Sequence, residues 1–230
     1  MNKSFLGNIK IITLIGIASL GFIGCGQTIE NHAIDAHLNS TSAAVLQKSW
    51  AGTDAIPYYI SNNVPEEFVP VIQEAFSDWE AAVGRSLVTY RGRTDATKSW
   101  DNMNVISWNR AGDTEGHLGM TYRKFSGNTI LEADIEIFRD PASYGILSCP
   151  TGETNCRVNA NRYDVKTNLL HEMGHFFGLE HTTIAGSIMN PNYGRNTVVH
   201  TLDLDLVAEL QDVYGSFYAM NDDADPTHTN

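Results

Sequence analysis

The sequence has few cysteines and few basic residues. Its 230 residues include three cysteines, and its 15 lysines and arginines are outnumbered by 27 aspartates and glutamates. Three cysteines are too few for a scaffold that depends on many disulfides. The formal net charge of −12 argues against a nucleic-acid-binding protein, because such proteins present a basic surface. A hydrophobic fraction of 42% is nevertheless enough for a folded core.

Long hydrophobic runs are also absent, except near the N-terminus, where apolar residues dominate positions 11–23. This run of about 13 residues is shorter than a membrane-spanning helix of ~20 residues and fits the hydrophobic region of a secretory signal peptide. It ends in Gly24-Cys25, which resembles the bacterial lipobox. The resemblance implies a signal peptide at 1–24, lipidation of Cys25 and an exported lipoprotein at the outer membrane or cell surface, with the periplasm as another location. The alternative is a plain secretory signal followed by an incidental cysteine.

Composition divides the rest of the chain into one domain and two flanking segments. Residues 25–47 are polar and without pattern, which predicts a tether, and residues 216–230 form a tail that we expect to be flexible. Residues 48–215 carry mixed helix and strand signals and form the predicted domain, which we expect to be a monomer. Apolar residues at spacings of three and four predict a helix over 68–83.

Other segments of the domain also show regular patterns. Helices are predicted at 162–178 and 203–214, and strands at 56–60, 87–90, 104–108 and 131–137. Apolar and acidic residues alternate in the strand at 131–137, which predicts an edge or half-buried position. Cys149 and Cys156 have six residues between them, and an oxidising compartment favours a disulfide over two free thiols or a zinc site.

The segment 171–181 reads His-Glu-Met-Gly-His-Phe-Phe-Gly-Leu-Glu-His. On a helix, His171 and His175 share a face with Cβ atoms ~5–6 Å apart, so both imidazoles can reach one Zn²⁺. Gly178 permits a sharp turn after the helix, which lets His181 return as a third ligand. Three protein ligands leave a fourth position for water, and Glu172 is placed to take its proton. The pattern therefore predicts a catalytic zinc and the hydrolysis of amide bonds.

This segment is the signature of the metzincin zinc proteases, and the downstream sequence resembles the matrixin branch. Ser187 to Tyr193 is similar to the Met-turn of that clan, with Met189 beneath the metal. The resemblance implies an α+β fold with a twisted, mostly parallel five-stranded sheet and three helices. It also implies an active-site cleft between a larger N-terminal and a smaller C-terminal subdomain. Leu118-Gly119 and Glu132-Ala133-Asp134-Ile135 are similar to the region of the edge strand that faces the substrate in this family. The resemblance implies that this edge binds protein or peptide substrates by strand addition and that Tyr193 helps to shape the pocket.

Two other functions stay open beside a secreted, lipid-anchored zinc metalloendopeptidase. One is a surface binding protein or adhesin on a catalytically silent metzincin scaffold, and the other is a structural zinc protein. Calcium is common in the family, but Asp134, Glu136 and Asp140 are interpreted as a solvated strand face, and we assign no calcium ligand. His117 and His200 are interpreted as ordinary surface residues.

Overall fold

The computed structural model describes most of the predicted domain. The described residues are 46, 48–52, 54–113, 115–150 and 153–215, together with the backbone of 20–25. Most of the predicted signal peptide, nearly all of the tether and the whole tail at 216–230 lie outside the described residues. Within the described residues, no helix is both long enough and apolar enough to cross a membrane.

The described elements alternate strands with three α-helices. The strands are β1 Leu20–Cys25, β2 Ser49–Trp50, β3 Ile56–Ser61, β4 Val88–Thr94, β5 Val105–Asn109, β6 Gly119–Ser126, β7 Thr129–Phe138, β8 Tyr144–Gly145, β9 Asn155–Arg157, β10 Tyr163–Asp164 and β11 Thr197–Val199. The helices are α1 Val69–Val83, α2 Val165–Phe176 and α3 Leu204–Leu210, with 3₁₀ turns at Glu66–Phe68 and Pro141–Ser143 and a π-helical turn at Gln211–Gly215.

Five strands form the predicted, mostly parallel sheet in the order β4-β3-β5-β7-β6. The first four are mutually parallel, and β6 runs antiparallel to β7. Two further strands join this sheet, since β1 pairs antiparallel with the outer edge of β6 and β2 pairs parallel with β7. The pairs β8–β10 and β9–β11 form two small sheets of their own. The α+β fold class predicted from the sequence is confirmed.

Helix α1 packs its apolar face on the sheet, as its spacing predicts. Ile72, Phe76 and Trp79 are almost fully buried in the core. The helix ends at Gly84, which adopts the left-handed conformation with φ 88°. Glycine tolerates this conformation without the steric cost that a Cβ would add. Within the core, Phe76 of α1 contacts Tyr58 of β3 and Phe176 of α2.

The prediction for the alternating strand at 131–137 is wrong in one respect. It lies within β7, an interior strand between β6 and β5, and Glu132 and Asp134 are both fully buried. The Glu132 carboxylate accepts backbone N–H groups of Asp101 and Asn102 at 2.7 and 2.8 Å. The interpretation of Asp134 as part of a solvated face is therefore also wrong, because the carboxylates anchor the loop that precedes β5.

Candidate active site

Helix α2 carries the first two predicted zinc ligands. It begins after Asp164, whose carboxylate accepts the Thr167 N–H at 2.8 Å and so caps the helix. His171 and His175 are fully buried, and their ring centroids lie 4.9 Å apart. The helix predicted at 162–178 is longer than α2. At its N-terminal end, β10 occupies the two residues immediately before α2.

A reversal at Gly178 brings the third histidine back to the first two. Gly178 has φ 108°, and a Cβ at this position would overlap the carbonyl oxygen of Lys48. The His181 ring centroid then lies 5.3 Å from that of His171 and 4.7 Å from that of His175. One ligand atom from each of the three rings lies within 4.8 Å of the others, close enough for all three to converge on one ion.

Carbonyl groups orient two of these rings. His171 Nδ1 lies 2.6 Å from the Ile188 oxygen, and His175 Nδ1 lies 2.7 Å from the Leu179 oxygen. A carbonyl can only accept, so each Nδ1 carries the proton and each Nε2 keeps its lone pair. The buried His171 Nε2 has no hydrogen-bond partner among the described residues. These residues fit a zinc ion, since the donor atoms are oriented in the way that metal-binding histidines usually are.

The environment keeps the imidazoles neutral. Burial lowers the pKa of His171 to about 3 and that of His181 to about 4. Burial also lowers the pKa of His175 well below its usual value, and the two neighbouring rings act in the same direction. A neutral imidazole is the form that binds a metal. Their surroundings therefore keep the three imidazoles in the neutral form that can bind a metal cation.

Met189 lies under the metal-binding helix, where the Met-turn resemblance implies it. Its side chain is fully buried, and a Cβ at Gly174 would overlap its sulfur atom. The Thr182 N–H donates to the Met189 carbonyl at 3.0 Å, which ties this turn to the residue after the third histidine. Gly174 thus allows the close approach of the Met-turn to α2 between the two helical ligands.

The Glu172 side chain extends from α2 towards strand β6. It is fully buried, and Oε2 accepts the Thr121 hydroxyl at 2.8 Å. A Cβ at Gly119 would lie 2.8 Å from Glu172 Oε1, so the strand passes very close to this carboxylate. The structure thus places Gly119 beside the predicted general base.

Leu118 and Tyr193 are joined through a residue that the motif does not include. The buried Asn168 side chain donates to the Leu118 carbonyl at 3.1 Å and accepts the Tyr193 hydroxyl at 2.7 Å. The Tyr193 ring centroid lies 5.7 Å from that of His171. Asn168 and Thr121 were missed at the sequence level. A polar residue one helical turn before His171, on a buried face, was the available signal for Asn168.

The sequence also matches a known protein family. The family model described as matrixin matches residues 49–215. The chain belongs to the matrixin family. Membership confirms the resemblance and the fold class predicted from the sequence. It supports the predicted enzyme class, a zinc metalloprotease, and it implies one catalytic zinc. It does not bear on the signal peptide or the lipid anchor.

One curated relative is karilysin from Tannerella forsythia. It is 26% identical to this matrixin over 178 residues, which cover 74% of this chain and 34% of karilysin. This matrixin thus spans about a third of the length of the relative that it matches. The similarity therefore extends over far more of the chain than one short motif.

Two further groups lie outside the zinc site. Cys149 and Cys156 form a disulfide with a Cα–Cα distance of 5.8 Å. The interpretation of His117 as a surface residue is wrong, because it is buried, with Nδ1 against Asp113 and Nε2 3.5 Å from Glu115. Each ring nitrogen already faces its own carboxylate, so we assign no metal to this cluster.

Proposed function

We propose that this matrixin hydrolyses peptide bonds within protein substrates, with Glu172 as general base. His171, His175 and His181 would hold the zinc ion. When bound, zinc polarises the carbonyl of the substrate and makes a water more acidic. Glu172 takes a proton from the attacking water and then delivers it to the amine nitrogen as the peptide bond breaks.

One observation carries this proposal. The three imidazoles converge, with each Nδ1 of the two helical histidines committed to a carbonyl, while Glu172 lies next to the first of them in sequence. A structural zinc protein would not need a buried carboxylate that stays outside the ligand set. The intact ligands and the intact acid also speak against an adhesin on a silent scaffold.

The test replaces the base and leaves the ligands. We expect Glu172→Ala to bind zinc in the same ratio as the wild type and to lose cleavage of a peptide library, because no other group would accept the proton. The exposed Glu67 provides a matched control, and Glu67→Ala should cleave like the wild type. Full activity in Glu172→Ala would remove Glu172 as base, and a wild type that cleaves nothing after zinc loading would favour the adhesin.

Strand β6 is the proposed binding edge for the substrate. Its outer edge pairs antiparallel with the backbone of β1, in the register Ile23↔Thr121 and Cys25↔Gly119. An edge that accepts this chain's own extended segment has the hydrogen-bonding groups to accept a substrate peptide by strand addition. Cleavage of a signal peptide before Cys25 would remove nearly all of β1 and leave this edge open.

The lipid anchor and the export of the protein belong to the same proposal. They are supported by the apolar run at 11–23 and by the lipobox-like Gly24-Cys25. The anchored protein would act at the outer membrane or cell surface. Mass spectrometry of the membrane fraction should find Cys25 as an acylated N-terminus, and an unmodified Cys25 there would contradict the anchor.

A further inference from the structure

A buried hydroxyl on strand β6 contacts the proposed base. Thr121 is fully buried, and its Oγ1 lies 2.8 Å from Glu172 Oε2 and 2.9 Å from the Glu172 carbonyl oxygen. Both partners are acceptors, so the hydroxyl is the donor and its one proton points to one of them at a time. A donor to a carboxylate forms one of the stronger kinds of hydrogen bond in proteins.

This contact joins two elements that are distant in sequence. The residues are 51 positions apart, and Glu172 lies on α2 while Thr121 lies on β6. A glutamate side chain has three rotatable bonds, so its carboxylate needs external contacts to stay in one place. Gly119 adds to the fit, because the missing Cβ leaves room for the carboxylate beside the strand.

We propose that Thr121 is a positioning residue that fixes the Glu172 carboxylate in the orientation needed for proton transfer. The proposal rests on the proposed role of Glu172 as base. The hydroxyl does not touch the substrate and acts only through the carboxylate that it binds. Because β6 would also bind the substrate peptide, one strand would set the position of both the base and the peptide bond.

The alternative is that Thr121 only fills space in the core between β6 and α2. Steady-state kinetics with a fluorogenic peptide cleaved by the wild type separates the two roles. Thr121→Val keeps the shape of the side chain and removes the hydroxyl. We expect kcat to fall by about 10- to 100-fold, as for other residues that orient a site through a hydrogen bond, with KM and zinc content unchanged.

Two further variants make the test specific. Thr121→Ser restores the hydroxyl and should recover most of kcat, which a role in packing alone would not produce, since serine lacks the methyl group. Ser107 is a matched control, because it is also fully buried in the sheet and its hydroxyl faces the Ile135 carbonyl at 3.5 Å. Ser107→Ala should leave kcat unchanged.

Crystal structures of the variants give a readout besides activity. The Glu172 carboxylate should be displaced or spread over several orientations in Thr121→Val and should return to its place in Thr121→Ser. If Thr121→Val does not fold, Thr121→Ala replaces it in both measurements. Wild-type kcat in the variant without the hydroxyl, while Glu172→Ala is inactive, would overturn the role of Thr121 alone. Full activity of Glu172→Ala would instead overturn the proposed function.

Discussion

The residues that orient the site are ordinary polar groups outside the zinc-binding segment. The Ile188 carbonyl holds the ring of His171, and the hydroxyl of Thr121 holds the carboxylate of Glu172. Asn168 joins the Tyr193 hydroxyl to the Leu118 carbonyl, just before β6. Each of these contacts depends on where distant parts of the chain meet, so local spacing could mark Asn168 as a candidate but could not predict its partners.

Asp134 offers a test of electrostatics at the scale of one residue. Burial raises its pKa from 3.8 to about 7, and the nearby Glu132 adds to the shift, although hydrogen bonds from two backbone N–H groups oppose it. The folded state therefore binds an extra proton between pH about 4 and about 7. Stability from this group is present at the acidic end and is lost as the pH rises, by at most ~1.4 kcal/mol per pH unit.

We expect Asp134→Asn to flatten this pH dependence, because the variant has no carboxyl to titrate at this position. The measurement is the free energy of unfolding in urea at several pH values in that window. The exposed Asp54 is a control, and Asp54→Asn should keep the slope of the wild type. An equal slope in Asp134→Asn would contradict the account of the buried carboxyl.

At the scale of elements, the start of α2 depends on one carboxylate. Asp164 Oδ2 accepts the N–H of Thr167 at 2.8 Å and its hydroxyl at 2.7 Å, and Oδ1 accepts the Leu147 N–H at 2.9 Å. His200 Nε2 lies 2.7 Å from the same carboxylate. This residue therefore ties the zinc-binding helix to two loops as well as capping it.

We expect Asp164→Ala to lower the free energy of unfolding by at least about 1–2 kcal/mol, the usual cost of losing an N-cap. Urea denaturation measures this loss. Asp164→Asn keeps a side-chain oxygen that can cap the helix, so it should lose less. If Asp164→Ala and the wild type were equally stable, the cap would not contribute as described.

The helices were easier to predict than the strands, for a physical reason. The apolar face of α1 repeats every three or four residues, and Gly84 marks its end, so local spacing defines the element. Strand β6 contains Tyr122, Arg123 and Lys124 on neighbouring positions, and its position is set by pairing with β7 instead. The alternation of apolar and acidic residues in β7 predicted a half-exposed strand. The acidic side chains are instead buried against a loop, which alternation alone does not indicate.

At the scale of the whole molecule, the N-terminal end of the domain supports the zinc-binding helix. The Trp50 indole N–H donates to the Phe176 carbonyl at 2.8 Å, and Leu46 forms a bridge with Leu179. Leu46, within the predicted tether, thus lies against the turn that follows Gly178. The sequence predicted the zinc ligands, because a helical spacing and one glycine define them, but the surrounding support comes from the tertiary fold.

The central claim is that three imidazoles hold one zinc ion whose remaining position is open to water. X-ray absorption at the zinc edge of the zinc-loaded protein measures the ligands of the ion directly. The account predicts three histidine nitrogens at about 2.0–2.1 Å and one light atom from solvent. A sulfur ligand at about 2.3 Å, or fewer than three histidines, would contradict it.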